Sequence, residues 1–466
     1  MKTAKSATAD SQLIHSIARL SFGPRPQEIE TIRKRKIKEY LAIQLKPEAI
    51  AEPSLLTTEL NKLKTLSMSP IALFQEYTAR GRGKKISPEA RKMLRKKRRG
   101  LVREAFQARL LRAIASQRQL QEVMVDFWFN HFNVFAGKGL TGMWIGNYEE
   151  KAIRSNVFGS FRELLGATAR HPAMLFYLDN WLNTDPNSRG ARGRFKGLNE
   201  NYARELMELH TLGVNGGYTQ ADVVSLARIL TGWGISRRDR QGDGSGFYFD
   251  PKRHDFQDKV FLGKTIQGRG KEEVEEALDI LATHPATARH ISYKLAQYFV
   301  SDRPPESLVN SLAENFLATK GNIAAVLNTL FTSKEFLDPQ YYGNKFKTPY
   351  QYIVSIYRAT NIEKPNLRQT YGMLRQLGMP LYGCRTPNGY QNTRDAWLGP
   401  DSMMRRVSLA TALARKYLKT EKSHNPNLLM ATLGDRFSSN TLAVINSSKP
   451  FLKTALILGS PEMMYR

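Results

Sequence analysis

One short segment of the chain places amide and imidazole side chains among aromatic residues. It runs from Asp126 to Asn133 (DFWFNHFN) and holds Asn130 and His131 between phenylalanines and a tryptophan. Packing polar groups among large apolar side chains implies burial, and a buried polar group needs partners. A buried imidazole is either held by hydrogen bonds as part of the structure or used in proton transfer or ligation. Asn130 and His131 are therefore candidate catalytic residues, with a purely structural role as the alternative.

A second segment, residues 198–210 (LNENYARELMELH), concentrates acids on one predicted helix. At about 100° per residue, Asn201, Glu205 and Glu208 lie within about 60° of one another. Two carboxylates on one face could hold a hard divalent cation or act as acid and base. Glu205 and Glu208 are therefore candidate metal ligands, and Asn201 is a candidate ligand contact.

The charges of this helix also have a simpler explanation. Arg204 stands four residues from both Glu200 and Glu208, a spacing typical of a salt-bridged helix face. His210 points away from the carboxylates, and Glu208 precedes it by two residues, so the Glu-x-x-His signature of di-iron bundles is absent within this helix. Glu200, Arg204 and His210 remain candidate catalytic residues beside His131.

Two further places hold polar groups that could contact a ligand. His254 and Asp255 lie in a Gly-rich section, and Asp179 follows an apolar helix. A His-Asp pair in a loop is common by chance, and an acid beside a helix is often a cap, but all three are candidate ligand-binding residues. The sequence contains no His-Glu-x-x-His zinc motif, no P-loop and no Gly-x-Ser-x-Gly elbow. A standard metalloprotease, nucleotide hydrolase or α/β-hydrolase is therefore not expected.

Positive charge is the most unusual global property of the chain. Its 466 residues include 70 Lys and Arg against 42 Asp and Glu, a net charge of +28. Such a field attracts nucleic acid, anionic lipid or acidic polysaccharide, although a merely solubilising surface is the alternative. Cys384 is the only cysteine, so neither an intrachain disulfide nor a cysteine-based metal site can form. No apolar run approaches the roughly 20 residues that span a bilayer, and the first residues lack the apolar stretch of a secretory signal.

Much of this charge lies in one run from Arg80 to Arg99, which has eleven basic residues and one acidic residue. Blocks of like charge are usually solvated, and we expect a mobile basic loop at 80–99 and an exposed basic loop at 185–197. The run has no aromatic residue that could stack on bases, so sequence-specific binding of single strands is not expected. The candidate polyanion contacts are Lys84, Lys85, Arg95, Lys96, Lys97, Arg98 and Arg99.

The pattern of apolar residues predicts the elements that must position these groups. Apolar residues recur at three- and four-residue spacing over most of the chain, which predicts helices. Thr219, with Asp222 three residues later, predicts a helix N-terminus with a capping-box pattern. Residues 236–270 are rich in Gly and aromatic residues with short alternating stretches, which predicts a small β-hairpin or sheet near 240–265. We therefore expect a mainly α protein, a large multi-helix assembly forming one domain over residues 1–466.

Several phrases of the sequence resemble one bacterial family, the domain of unknown function 1800. They include FWFNHFNVF (127–135), HPAMLFYLDN (171–180) and LNENYARELMELHTLGVNGGYTQADVVSLARILTGW (198–233). The resemblance runs over nearly the full length of the chain. It implies a bacterial protein that is periplasmic or secreted, often encoded beside a partner of the domain of unknown function 1501 family, and it implies no known reaction. The missing export signal leaves a cytoplasmic location open.

One fragment also resembles the animal-type haem peroxidases, in which an Asn-Glu-Asn stretch leads into a Leu-His-Thr-Leu helix. That likeness implies that Glu200 and Arg204 border a haem and that His131 acts on peroxide. Glu200 and His210 are ten residues apart, about two more than the peroxidase pattern has, and the distal Asp-His-Asp motif is missing.

These observations combine into one expectation and its alternatives. We expect the 126–133 and 199–210 segments to meet around a polar pocket that binds or acts on an anionic or polymeric ligand. A divalent metal is the first candidate cofactor and haem the second. The alternatives are a haem-peroxidase-like oxidoreductase, a non-enzymatic polyanion-binding protein, and a scaffold for a domain of unknown function 1501 partner.

Overall fold

The computed structural model describes residues 2–78, 87–236, 238–239, 242–417, 426–434 and 436–466. Within these residues the predicted mainly α fold is confirmed. The helices are α1 Lys2–Leu20, α2 Glu28–Arg35, α3 Ile37–Gln44, α4 Ser54–Asn61, α5 Pro70–Tyr77, α6 Pro88–Ala115, α7 Gln119–His131, α8 Thr141–Asn147, α9 Phe161–Arg170, α10 Pro172–Tyr177, α11 Asn201–Glu205, α12 Gln220–Ile229, α13 Lys271–Thr283, α14 Pro285–Phe299, α15 Glu306–Ala318, α16 Ile323–Thr332, α17 Pro349–Ala359, α18 Leu367–Gln376, α19 Arg394–Trp397, α20 Pro400–Tyr417, α21 Pro426–Leu433, α22 Ser439–Ser447, α23 Pro450–Gly459 and α24 Pro461–Met464.

The predicted β insertion is also confirmed, as two short antiparallel pairs. Strand β1 (Trp233–Ile235) pairs with β2 (Phe247–Phe249), and β3 (Lys259–Phe261) pairs with β4 (Lys264–Ile266). The helix before them, α12, begins at the predicted capping box. Thr219 accepts a hydrogen bond from the backbone of Asp222, whose carboxylate accepts one in return from the backbone of Thr219. The reciprocal bonds satisfy two N–H groups that a helix start leaves unpaired.

The basic run was expected to be a loop, and for residues 88–99 that expectation is wrong. These residues form the first turns of the 28-residue helix α6, which begins with Ser87 as its cap and Pro88 in its first turn. Lys, Arg, Met, Leu and Ala are good helix formers, and the apolar second half of the helix anchors the first. Residues 80–86 of the run lie outside the described part of the chain.

The second half of α6 is fixed by a buried ionic cluster that also holds α7. One Arg109 Nη lies 2.6 Å from Asp126 Oδ1, and the other lies 3.0 Å from Glu149 Oε2. The hydroxyl of Tyr382 donates to the same Glu149 oxygen at 2.9 Å. Burial is the main cause that raises the pKa of Glu149, and the positive charge of the neighbouring Arg109 opposes that rise. Asp126, in the first segment identified from sequence, therefore serves to orient α7.

Distant parts of the chain share one apolar core. It extends from Leu13 in α1 to Met464 in α24. Helix α1 is tied to the second half of the chain by polar bonds as well. His15 Nε2 lies 3.0 Å from the carbonyl of Phe336, and Arg19 donates to the carbonyl of Tyr341 at 2.8 Å. None of the described helices combines the length and the apolar character that crossing a membrane requires.

Candidate functional site

The two segments singled out from sequence meet in the interior of the protein. His131, the last residue of α7, places its Nε2 atom 3.1 Å from the backbone carbonyl of His210. Because a carbonyl oxygen only accepts hydrogen bonds, this contact requires the proton on Nε2. The ring centroids of His131 and His210 are 6.1 Å apart, and both residues are buried. The expected meeting of α7 with the 199–210 segment is therefore observed at their histidines.

A widened helical turn places His210 at this point. After α11, residues Leu206–His210 continue as a π-helix, in which hydrogen bonds span one residue more than in an α-helix. The turn is closed by Thr211, whose hydroxyl donates to the carbonyl of Leu206 at 2.7 Å, and by the N–H of Gly213, which donates to the carbonyl of Met207. π-turns of this kind occur frequently at functional sites.

Helix α14 adds two further polar residues to the pair of histidines. His290 places its Nε2 atom 3.3 Å from the carbonyl of Leu209, and its ring centroid lies 6.2 Å from that of His131. Lys294 stands one helical turn after His290 and borders the same cavity as His131. No hydrogen bond or salt bridge joins Lys294 to any residue that the structure describes.

Of these residues, His131 and Lys294 border a small polar cavity of about 110 Å³, and His210 and His290 lie behind them. Drug-sized ligands occupy pockets of roughly 300 Å³ or more, so this cavity has room for one small chemical group. Amide side chains make up much of the remaining wall. The lining residues are Asp126, Phe127, Asn130, His131, Lys294, Gln297, Tyr298, Thr348, Met379, Asn388, Tyr390, Gln391 and Asn392.

The electrostatics of the site follow from burial. Burial lowers the pKa of Lys294. Burial and the Lys294 ammonium together lower the pKa of His210 to about 3 and that of His290 to about 4. The pKa of His131 lies well below its ordinary value for the same two reasons, with its neighbouring histidines adding to the effect. At neutral pH the three imidazoles of the site are therefore uncharged, and Lys294 is the basic side chain on the described cavity wall.

Asn130 holds the cavity wall in place. Its Nδ2 atom donates to the carbonyl of Tyr390 at 2.8 Å, and its Oδ1 atom accepts from the backbone N–H of the same residue at 2.8 Å. Gly389, beside Tyr390, has a φ of +71°, and a Cβ there would lie 2.2 Å from the carbonyl oxygen of Asn130. The two bonds occupy both ends of the amide, so the geometry gives Asn130 a positioning role.

The acids of the 199–210 segment face away from this cavity. Arg204 pairs with Glu200 at 3.2 Å and with Glu208 at 3.6 Å, and each of the three side chains is partly exposed. Gln220 bonds both Arg204 and Glu200. The simpler explanation, a salt-bridged helix face, therefore accounts for Glu200, Arg204 and Glu208.

Glu205 and Asn201 are also placed outside the cavity. Burial, and then the nearby Glu208, raise the pKa of Glu205. Asn201 donates to the carbonyl of Leu178 at 3.1 Å. Among the described residues, no group of three or more His, Cys, Asp or Glu side chains could hold a metal ion. Glu205 and Glu208, one of them already paired with an arginine, do not by themselves make a metal centre.

The remaining candidates are engaged in structural contacts. His254 and Lys259 both bond the carboxylate of Glu273, at 2.9 and 2.6 Å, and all three side chains are fully buried. Asp255 pairs with Arg228 at 2.6 Å. These bonds fasten the β3–β4 pair onto α12 and α13. The side chains of His254 and Asp255 are thus both engaged in described ion pairs.

Asp179 has a left-handed backbone conformation, with a φ of +61°, and its carboxylate pairs with Lys138 at 2.7 Å. Its side chain makes no capping bond, so the cap alternative is not observed.

Of the candidate polyanion contacts, Arg98 donates to the carbonyl of Tyr77, and Lys84 and Lys85 lie outside the described residues. Arg95, Lys96, Lys97 and Arg99 are exposed on α6.

The haem likeness gains no support from this geometry. A porphyrin needs a larger space than the 110 Å³ beside His131. The described contacts of Glu200 and Arg204 are with each other, with Glu208 and with Gln220, and none is with His131.

A larger cavity, of about 690 Å³, has His171 on its wall, but the hydrogen bonds of this histidine are already made within the protein. His171 Nε2 lies 3.0 Å from Asn147 Oδ1, and its Nδ1 atom accepts from the N–H of Ala173, so both ring nitrogens have partners. Arg170 on its wall is paired with Glu275. The smaller cavity, in contrast, is lined by His131, whose Nδ1 atom is buried without a hydrogen-bond partner.

Sequence reasoning missed Lys294 and His290. A signal was present, because the two residues are four apart on α14. Lys294 also lies in sequence between Ser292 and Leu295, two buried residues of that helix. The amides that complete the wall could not be assigned, since Asn388 and its neighbours lie in a segment without helix or strand.

Comparison with known proteins adds the family. Residues 15–465 match the family model described as "Protein of unknown function (DUF1800)". No curated protein and no solved structure matches the chain. Since the family match covers nearly the whole sequence, as the resemblance implied, the protein belongs to the DUF1800 family.

Proposed function

We propose that the cavity between His131 and Lys294 binds a small anionic group, most simply the carboxylate of an acidic polymer. The observation that carries the proposal is the amino group of Lys294, which borders the cavity and forms no hydrogen bond or salt bridge with a described residue, while Asp126 on the same wall is paired with Arg109. A buried, unpaired charge is costly, and proteins keep such charges where a ligand supplies the missing partner.

The charge and size of the cavity favour a carboxylate. The three histidines are neutral at pH 7, so Lys294 supplies a single positive charge. One charge matches a monoanion. A volume of about 110 Å³ admits one small group rather than a whole sugar ring or nucleotide. The amides of Asn388 and Gln391 lie on the same wall and can donate hydrogen bonds to carboxylate oxygens.

The substitution Lys294→Gln tests this proposal. It should weaken the binding of an oligomer of galacturonic acid at least tenfold, as measured by isothermal titration calorimetry, because it removes the one Lys or Arg among the described lining residues. The same change should leave the melting temperature unchanged or raise it, since it removes an unpaired buried charge.

Lys334→Gln is the matched control, because Lys334 is an exposed lysine away from the cavity. It should change neither binding nor stability. If the Lys294→Gln protein bound the oligomer as tightly as the wild type, the proposal would be wrong. A loss of stability in that variant would give Lys294 a structural role instead.

The proposal also includes a cellular location and a partner protein. The family resemblance supports a periplasmic or secreted protein and a partner of the domain of unknown function 1501 family. Fractionation of the native bacterium tests the location, and co-purification tests the partner. Recovery of the protein in the cytoplasmic fraction alone would contradict an envelope role.

A second candidate function, polyanion binding, is favoured by the first turns of α6. Arg91 and Arg95 are four residues apart, as are Lys92 and Lys96, so they form adjacent exposed stripes on the helix. Apart from Glu89, this part of α6 has no acid. Cations arranged in this way neutralise phosphate or sulfate groups and release counterions.

Replacement of these four residues (Arg91, Lys92, Arg95 and Lys96) by Gln tests this function. The change should lower the salt concentration that elutes the protein from heparin and flatten the dependence of binding on salt. A control with four other exposed cations changed to Gln (Lys34, Arg35, Lys38 and Lys46) matches the loss of net charge. Equal shifts for both proteins would mean that only net charge matters.

A further inference from the structure

A second polar cavity, of about 400 Å³, lies where α1 meets the end of the chain. His15 from α1 forms one side of it. Arg436, Glu462 and Arg466 form the other side. The backbone N–H of Arg466 donates to the carbonyl of Lys345 at 2.8 Å, which fixes the position of this last arginine.

Among the residues that the structure describes, the surroundings of this cavity hold more basic than acidic side chains. Burial lowers the pKa of Lys347 well below its ordinary value, and Arg436, Arg466 and Arg406 lower it further. The described contacts show one carboxylate, that of Asp302, paired with a member of the cluster. The basic residues of the cluster are Arg19, Lys345, Lys347, Arg406, Arg436 and Arg466.

The carboxylate on the cavity wall does not compensate this charge. Glu462 accepts hydrogen bonds from the backbone N–H of Ser438 at 3.0 Å and from the hydroxyl of Thr441 at 2.9 Å. It forms no salt bridge with a described residue of the cluster. Its bonds are those of a carboxylate that fixes the start of α22.

Two guanidinium groups on the wall keep unused donors. Arg436 donates through Nε to the carbonyl of Leu433 at 3.0 Å, and no described atom pairs with its terminal nitrogens. Arg466 donates from one Nη to the carbonyl of Tyr298 at 2.8 Å, while its Nε and its other Nη have no partner. A guanidinium has five N–H donors, and leaving them buried without acceptors is costly.

Aromatic stacking explains only part of this arrangement. Arg466 lies 4.4 Å from the ring centre of Tyr298, and Arg406 lies 4.3 Å from that of Phe346. Stacking stabilises the flat face of a guanidinium. It leaves the N–H edge, which is the part that recognises oxyanions, without an acceptor.

From the cavity, the excess of cations and the unused N–H edges, we propose that this is a binding site for a phosphate dianion. The guanidinium of Arg436 contacts the ligand, and the neighbouring cations provide the field that favours two negative charges over one. At about 400 Å³ the cavity admits inorganic phosphate or a small phosphate monoester. This site is distinct from the Lys294 cavity, whose single cation matches a monoanion.

The experiment is a titration with inorganic phosphate and, separately, with glycerol 3-phosphate, at an ionic strength held constant with sodium chloride. Wild-type protein should gain thermal stability as each ligand saturates the site, since ligand that binds the native state stabilises it. Tighter binding of glycerol 3-phosphate would assign the site to a monoester, and equal or weaker binding would assign it to free phosphate. Arg436→Gln should weaken binding at least tenfold.

Three further variants make the result decisive. Arg466→Lys keeps the charge but loses the forked donor edge, so it should weaken phosphate binding even if Arg436→Gln fails to fold. Arg405→Gln, an exposed arginine paired with Asp401, and Lys294→Gln should both bind phosphate normally. The proposal is overturned if phosphate stabilises the wild type no more than chloride does, or if the Arg436 and Arg466 variants bind as the wild type does.

Discussion

At the scale of single residues, the two segments meet where His131 Nε2 bonds the backbone carbonyl of His210. Aromatic residues around His131 implied burial, and burial of a polar ring implied a specific partner. The acids of the 199–210 segment were equally visible, yet they pair with Arg204 at the surface. Lys294 was missed because its four-residue spacing from His290 is a weak signal until the neighbours of both residues in space are known.

The buried histidines give the first prediction, a loss of stability in mild acid. The unfolded chain protonates a histidine near pH 6.5, whereas the folded protein holds the pKa of His171 at about 3 and that of His290 at about 4. Below pH 6.5 the unfolded state therefore binds more protons, and the free energy of unfolding should fall as the pH decreases toward 4. Each histidine contributes up to about 1.4 kcal/mol per pH unit.

Urea unfolding at pH 7, 6 and 5 measures this slope. The variant His171→Asn should show a shallower slope by up to about 1.4 kcal/mol per pH unit, because one proton-binding difference is removed. Asparagine can still accept the capping bond from the N–H of Ala173. An unchanged slope would mean that His171 is protonated in the folded protein.

At the scale of elements, local signals with a stereochemical basis were reliable. The Thr219–Asp222 box was predicted because a helix start needs those acceptors, and it is present. The basic run was assigned to a loop because of its charge, but helix propensity and the apolar half of α6 decided its structure. The π-turn at 206–210 could not be predicted, because its widening depends on tertiary contacts of its carbonyls.

Gly389 gives the second prediction, at the turn that holds the cavity wall. Gly389→Ala adds a Cβ that would lie 2.2 Å from the carbonyl oxygen of Asn130, at a φ of +71°. Gly193→Ala is the matched control, since Gly193 has a φ of +61° and nothing within 4 Å of its Cβ position. The free energy of unfolding of the control should fall by roughly 1–2 kcal/mol through backbone strain alone. Gly389→Ala should reduce the free energy of unfolding in urea by clearly more than the control does, and it should weaken ligand binding at Lys294. Equal reductions in the two variants would show that the turn moves freely away from Asn130.

At the scale of the whole molecule, the fold class was predictable because helical periodicity runs through the sequence. How the helices are arranged was not, since contacts such as those of α1 with residues 336 and 341 leave no local trace. One core unites the described parts of the chain. We therefore keep the prediction that the chain is one domain.

Calorimetry tests that prediction. A single unfolding transition, with the van't Hoff enthalpy equal to the calorimetric enthalpy, is expected for one cooperative unit. Two resolved transitions would divide the chain into separate domains. The same scan with α1 shortened by one turn should move the whole transition to lower temperature.

The attachment of α1 to the far end of the chain also affects how the protein is made. Arg19 and the Tyr341 carbonyl that it bonds are 322 residues apart. At a synthesis rate of about 5–20 residues per second, the first helix leaves the ribosome roughly 15–60 s before its partner exists. During that interval the His15 and Arg19 side chains of this helix lack their native acceptors, the carbonyls of Phe336 and Tyr341. Nascent chains should therefore depend on a chaperone that shields this helix until translation is complete.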